Sequence, residues 1–280
     1  MMRLIVNYTD IHEIPIIEIV PDYLDNKEAP LVVFYHGYSN TKDGMMTFGS
    51  EIAKKGFRVI MPDALHHGKR KEHGLDYNTN GLIFFEALQA NTKEFPQIIQ
   101  YYKDQDLIAN NFIGVAGMSM GGMTSSLITT AYSNVNATVI LMGSPQQEAF
   151  NQWMIDQYIQ QAKISQPLSQ ALLEKIVEFT KFFESVDLGQ HIEAIQSRPI
   201  LFWHSKQDMV VPSRFTEEFI QRVKQCNKES NIKLYLDKTG GHKVPYKEMV
   251  RMAEFFYAAH TVAKEDIFTV TDANMAKRFA

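Results

Sequence analysis

Phe112-Ile113-Gly114-Val115-Ala116-Gly117-Met118-Ser119-Met120-Gly121-Gly122 decides how this chain folds. Residues 112–116 form a short apolar run of the kind that makes a strand buried on both faces. A helical pattern starts with Met123, Thr124 and Leu127. Between them lies Gly-x-Ser-x-Gly, from Gly117 to Gly121. A strand that passes straight into a helix here needs a tight, strained turn. Side chains two positions either side of the serine would collide, so both positions are glycine. Such a turn lifts the Ser119 hydroxyl above the sheet edge. It also aims the Met120 N–H, at the helix start, at a site where an oxyanion would form. Chance gives about 0.1 such patterns in a chain of this length, so the strand–turn–helix setting carries the weight. A phosphate-binding loop would use similar glycines, but neither a Gly-Lys-Ser/Thr nor a G-x-G-x-x-G pattern accompanies them.

Working outward, further apolar runs occur at 31–35 (LVVFY), 57–61 (FRVIM), 137–142 (ATVILM), 199–203 (PILFW) and 232–236 (IKLYL). Helical patterns separate them, at 43–55, 80–103, 121–132, 213–225 and 246–260. Near-continuous apolar strands alternating with helices predict a mostly parallel sheet with helices on both faces. Residues 4–8 and 14–20 alternate loosely around Asp10 and His12, which predicts an antiparallel hairpin added at the sheet edge. One interval is too long for an ordinary crossover. Within 145–198, Leu172, Ile176, Phe179 and Phe183 share a helix face, as do Phe150, Trp153, Met154 and Tyr158. The expected organisation is a core of residues 1–144 and 199–280 with a helical cap insertion at 145–198. An enlarged crossover packed on the side of the sheet would give the same pattern.

The chain has 280 residues, 45% apolar and 21% charged, enough for a large core without disulfides or a structural metal. Lys and Arg number 28 against 32 Asp and Glu, a net charge of -4. That argues against nucleic acid as a partner, which needs a concentrated positive field. No apolar stretch approaches the roughly 18 residues of a membrane span, and the first residues do not read as a signal peptide. The single cysteine, Cys226, cannot form an internal disulfide and reads as structural; a cytoplasmic location is expected. The sequons at Asn7 and Asn136 are then chance matches.

A serine hydroxyl needs a base, and the base an orienting carboxylate. His242 lies in Gly240-Gly241-His242-Lys243-Val244-Pro245, after the last strand, at the same sheet edge as Ser119. Asp208 follows the 199–203 strand in His204-Ser205-Lys206-Gln207-Asp208-Met209-Val210-Val211-Pro212. Asp63, after the 57–61 strand, reads as bracing a turn, and Asp237 as making a turn or salt bridge. A second oxyanion donor is expected from the backbone N–H of Tyr38, in His36-Gly37-Tyr38-Ser39-Asn40, with His36 holding that loop. His66, His67 and His73 lack a carboxylate or cysteine at metal-ligand spacing, so no metal is expected.

Assembled, these residues resemble a serine α/β-hydrolase. More narrowly, they resemble small bacterial esterases related to the prolyl oligopeptidase catalytic domain and to dienelactone hydrolases. The resemblance is carried by His36-Gly37-Tyr38, Pro62-Asp63 with His67-Gly68, Gly117 to Gly122, Asp208 in a D-x-x-V-P setting and Gly241-His242, over roughly residues 31–260. It implies an α/β-hydrolase fold with Ser119 as nucleophile, Asp208 as acid, His242 as base, and Tyr38 and Met120 as the oxyanion hole. Dienelactone hydrolases carry a cysteine nucleophile where this chain has serine, and there is no room for a prolyl oligopeptidase propeller. The activity implied is hydrolysis of carboxylic esters of small molecules, without metal or organic cofactor and without nucleic acid or membrane; short acyl chains are expected because no large exposed apolar surface of the lipase kind can be read. Met118, with Met45, Met46 and Met120, and the face of Phe150, Trp153 and Tyr158 are candidate pocket residues, the methionines being more readily placed in the core. A thioesterase, deacetylase or small peptidase would use the same residues, and a non-catalytic binding protein could share the fold. The oligomeric state is not legible.

Overall fold

The computed structural model describes residues 2–74, 76–77, 81–162 and 170–279, and the side chains of these except 158–162 and 170–173. Eight strands form one sheet: β1 (Leu4–Ile11), β2 (Ile14–Pro21), β3 (Ala29–Tyr35), β4 (Arg58–Pro62), β5 (Ile108–Met118), β6 (Ala137–Leu141), β7 (Ile200–Ser205) and β8 (Ile232–Asp237). Their order is β1-β2-β4-β3-β5-β6-β7-β8. β1 and β2 pair antiparallel, as do β2 and β4; the rest are parallel. This is the mostly parallel sheet with a leading hairpin that the apolar runs predicted. The first strand runs longer than the alternation suggested, to Ile11, which is buried, and the second ends at Pro21. His12 and Glu13 both take positive φ in the hairpin's two-residue turn, the backbone that matches strand twist.

The inner strands β3, β4, β6 and β7 are buried along almost their whole length because each side is covered. Leu31, Val33 and Tyr35 of β3 and Ile113 and Val115 of β5 face one layer, with Phe95, Ile98, Ile99 and Tyr102 of α2 (Leu82–Lys103). Val32, Phe34 and Ala116 face the other, with Phe48 and Ile52 of α1 (Met46–Ala53) and Met252, Phe255 and Phe256 of α7 (Tyr246–Thr261). This is the period-two alternation of a strand inside a three-layer stack. On the first layer α6 (Arg214–Cys226) covers β7 through Phe219, Ile220 and Val223 against Phe202.

α2 carries Pro96 within it, so the carbonyl of Thr92 loses its ordinary N–H partner. The hydroxyl of Tyr132 donates to that carbonyl at 3.0 Å, and the Tyr132 and Phe95 rings lie 5.4 Å apart. The proline thus fixes α2 against the end of α3 (Met120–Ala131). The buried Arg198 guanidinium donates to the carbonyls of Thr129 and Tyr132, placing a cation at the negative end of the same helix.

The 145–198 interval forms α4 (Gln147–Ala162) and α5 (Gln170–Val186). Phe150, Phe179, Phe183 and Val186 are buried against Ala87 and Leu88 of α2, Met120, Met123 and Leu127 of α3, and Val211 and Phe215 beside β7. Most of these partners lie toward the N-terminal ends of α2, α3 and α6. The last part of the interval, with Leu188 and Ile195, instead packs beside β7 and α6. The tail forms α8 (Ile267–Arg278), docked on α7 and β8. Asp272 accepts from Lys233, Tyr235 and Arg251, and Arg278 donates to Glu51. No described helix is long and apolar enough to cross a membrane.

Candidate active site

Ser119 sits between β5 and α3 with φ 56° and ψ -120°, a conformation non-glycine residues rarely adopt. Its backbone is held from both sides: its N–H donates to Leu141 O at 2.8 Å, and its carbonyl accepts from Met123 N at 3.0 Å. A Cβ on Gly117 would overlap the backbone of Gly121, and one on Gly121 would overlap the carbonyl of Tyr35. Both glycines are therefore demanded by backbone packing as well as by the turn. Ser119 is 8% exposed.

The structure brings Ser119, His242 and Asp208 together. His242 Nε2 lies 2.9 Å from Ser119 Oγ, and its Nδ1 lies 2.7 Å from Asp208 Oδ2. With the ring proton on Nδ1, His242 donates to the carboxylate and accepts the serine hydroxyl. The other carboxylate oxygen, Oδ1, accepts from the N–H groups of Val210 and Val211, each at 2.9 Å. Burial opposes the charge on Asp208. Hydrogen bonds from His204, His242 and the Val211 amide outweigh it and hold the carboxyl well below the usual carboxylate range. The loops bearing acid and base are also joined to each other: the Ser205 hydroxyl donates to Gly240 O, and Lys206 N to Asp237 O at 2.8 Å.

The rival carboxylates lie elsewhere. Asp237 accepts from the N–H and hydroxyl of Thr239 and shapes the turn before Gly240. Asp63 is fully buried, paired with the equally buried Lys42 at 2.6 Å. It also accepts from the N–H groups of Lys42 and Lys69. Gly68, at φ 54°, leaves room for this carboxylate, which a Cβ there would overlap.

This ion pair ties the loop after β3 to the loop after β4, and His36 makes a second tie. Its Nε2 accepts from Ala64 N at 3.0 Å and its Nδ1–H donates to Gly37 O at 2.8 Å. Burial pushes the His36 imidazole down to about 4. Gly37 places this loop against the nucleophile: a Cβ on it would lie 3.5 Å from Ser119 Cβ. Tyr38 therefore follows directly beside Ser119, while Met120 opens α3, whose first N–H groups have no partner within the helix. The Tyr38 phenol donates to Tyr77 O at 3.1 Å, and burial raises it to about 12.

The candidate pocket residues divide. Phe150 is buried and Trp153 partly buried; their rings lie 5.6 Å apart and tilted, and both meet Phe215 edge-on, in the cluster that holds Met120 and Tyr38. Met118 packs with the opposite layer, alongside Met45 and Met46. The Tyr158 side chain lies outside the described residues, as does that of Leu172. Of the clustered histidines, His66 meets Glu86 at 3.0 Å, and the buried His67 ring packs against Tyr38. Cys226 is exposed and borders an open depression of about 370 Å³ with Ile192, Val223 and Ser230, at the opposite end of β7 and β8 from Ser119.

Two contributors were not singled out in the sequence: the buried cation Lys42 and the imidazole of His204. A signal existed for the second. His204 continues the unbroken buried run of β7, where a surface residue has no place.

Comparison with known proteins identifies the family. Residues 93–263 match the family described as BAAT / Acyl-CoA thioester hydrolase C terminal. The chain belongs to that family. It is 34% identical over 245 residues to the protein named "Putative esterase YitV" of Bacillus subtilis (strain 168), covering 87% of this chain and 94% of that one. It is 24% identical over 247 residues to "Esterase YjfP" of Escherichia coli (strain K12), covering 88% and 96%. Among solved structures, TT1662 from Thermus thermophilus superposes with a TM-score of 0.71 at 14% identity, over 94% of this chain and all of that one. The fold is that of the α/β-hydrolases, and the family resemblance read from the motifs holds.

Proposed function

We propose that the protein is a serine hydrolase of small carboxylic esters, with Ser119, His242 and Asp208 as its catalytic triad. The observation that carries this is the hydrogen-bonded line from Ser119 Oγ through both ring nitrogens of His242 to Asp208 Oδ2. His242 takes the hydroxyl proton as Ser119 attacks the ester carbonyl. The N–H groups of Tyr38 and Met120 receive the oxyanion, in a site the strained turn builds before substrate arrives. His242 then passes its proton to the leaving alcohol, and Asp208 stabilises the imidazolium in between. Water, activated the same way, releases the acid from the acyl-enzyme.

Residues 145–198 act as a cap. Phe150 and Trp153, resting on Phe215 beside Met120, crowd the nucleophile from above and favour short acyl chains. The substrate is a small molecule and the compartment cytoplasmic, with the exposed thiol of Cys226 kept reduced. A thioesterase reading has one specific observation in its favour, the acyl-CoA thioester hydrolases named in the family description.

The deciding experiment combines fluorophosphonate labelling with hydrolysis of p-nitrophenyl acetate by the parent and by Ser119→Ala. Labelling of the parent alone, with the variant inert, is the expected result. A variant as active as the parent ends the proposal. Acetyl-CoA assayed beside the ester, over matched acyl lengths, separates ester from thioester preference.

A further inference from the structure

Asp208 is met by two imidazoles. Its Oδ2, which receives His242 Nδ1 at 2.7 Å, also lies 3.5 Å from Nε2 of His204. His204 is the last but one residue of the buried β7 and is itself fully buried. Its Nε2 faces only acceptors: the carbonyl of Val211 at 2.8 Å and the Asp208 carboxylate. That nitrogen must therefore carry a proton.

Nδ1 lies 3.0 Å from the hydroxyl oxygen of Thr216, which also lies 3.2 Å from the carbonyl of Gly143. Thr216 has one proton for the two acceptors. A second proton on the ring would set a fixed positive charge in a buried site already served by one carboxylate. The economical arrangement has Thr216 donating to Nδ1, which locks His204 in the tautomer whose Nε2–H is shared between Val211 O and Asp208. Oδ1 is then filled by two backbone N–H groups and Oδ2 by two ring N–H groups.

We infer that His204 is a positioning residue for the proposed triad: it holds the acid's inner oxygen so that the outward lone pair meets His242, and Thr216 sets its tautomer. This rests on the triad proposal above. The consequence is electrostatic as well as geometric. A carboxylate already satisfied by His204 pulls less strongly on the proton it shares with His242. Among the described residues, the titratable groups facing Asp208 are His242, from the loop after β8, and His204, from β7; the Thr216 hydroxyl of α6 meets His204 rather than the carboxylate.

The test uses full-length protein and p-nitrophenyl acetate, with kcat and KM measured across pH for the parent, His204→Phe, His204→Gln and Thr216→Val. Loss of the shared hydrogen bond in His204→Phe should lower kcat on the order of 10- to 100-fold with KM little changed. The acidic limb of its kcat/KM profile should move to higher pH by about half a unit. His204→Gln, which keeps a donor, should recover most of the rate. Thr216→Val should shift the limb the same way but less.

A parental profile in His204→Phe overturns the inference. So does a His204→Gln as impaired as His204→Phe, because ring packing alone would then explain the loss. Should His204→Phe fail to fold, an unshifted Thr216→Val profile overturns it. A Ser119→Ala control separates the two levels. Activity there removes the triad itself, while an inert control beside a parental His204→Phe profile removes only the role of His204.

Discussion

Acidification should loosen the loop that carries Tyr38. His36 holds that loop as a neutral ring, with Nε2 accepting from Ala64 N and Nδ1–H donating to Gly37 O. A proton on Nε2 would set N–H against N–H in a site with almost no water access. Burial accordingly lowers the imidazole from 6.5 to about 4. Because the folded value lies below the unfolded one, this stability is complete above pH 6.5 and is lost as pH falls toward 4. Each unit is worth about 1.4 kcal/mol, so the loss across that window is on the order of 3 kcal/mol. Urea unfolding at pH 7.0 and pH 4.5 would measure it, with the parent compared against His36→Gln. The glutamine amide keeps an acceptor and a donor but cannot titrate, and other groups cancel in the difference. The parent should lose about 2–3 kcal/mol more than the variant between the two pH values. Equal losses would refute the assignment of His36 as a buried neutral clamp.

Two other outcomes follow from the packing. Gly121→Ala drives a methyl group into the Tyr35 carbonyl and should cost about 2–4 kcal/mol, read as a fall in thermal midpoint, while Ser126→Ala on the same helix should cost far less. Removing one side of the buried pair, in Lys42→Met or Asp63→Leu, should cost about 3–5 kcal/mol in urea unfolding, and the double variant should recover part of that loss because no lone charge is left behind.

What the sequence revealed was what is local in the chain. Strands β3 to β8 were legible because covering both faces of a parallel sheet requires unbroken apolar runs. Ser119 was legible because the turn's sterics reach only two residues either way. The start of β5 was not: Asn110 and Asn111 take positive φ and the register with β3 shifts there, an irregularity that polar residues conceal. The interior charges were equally hidden. Lys42 reads as surface until Asp63, far along the chain, is seen to fold against it. Met118 and Met120, neighbours in the motif, enter opposite layers because the strand-to-helix turn falls between them. The tail's sequence shows Phe268 and Phe279 among polar residues, but not the charge cluster around Asp272 that docks α8.

The stitching between the loops after β7 and β8 has a mechanical side. β8 is the outermost strand, while the serine is anchored on β5, two strands further in than β7. Any loosening of that margin carries imidazole and carboxylate away as one rigid piece, their mutual bond intact. A molecule silenced in this way would look undamaged to every probe of the pair and would regain activity once the margin closed again.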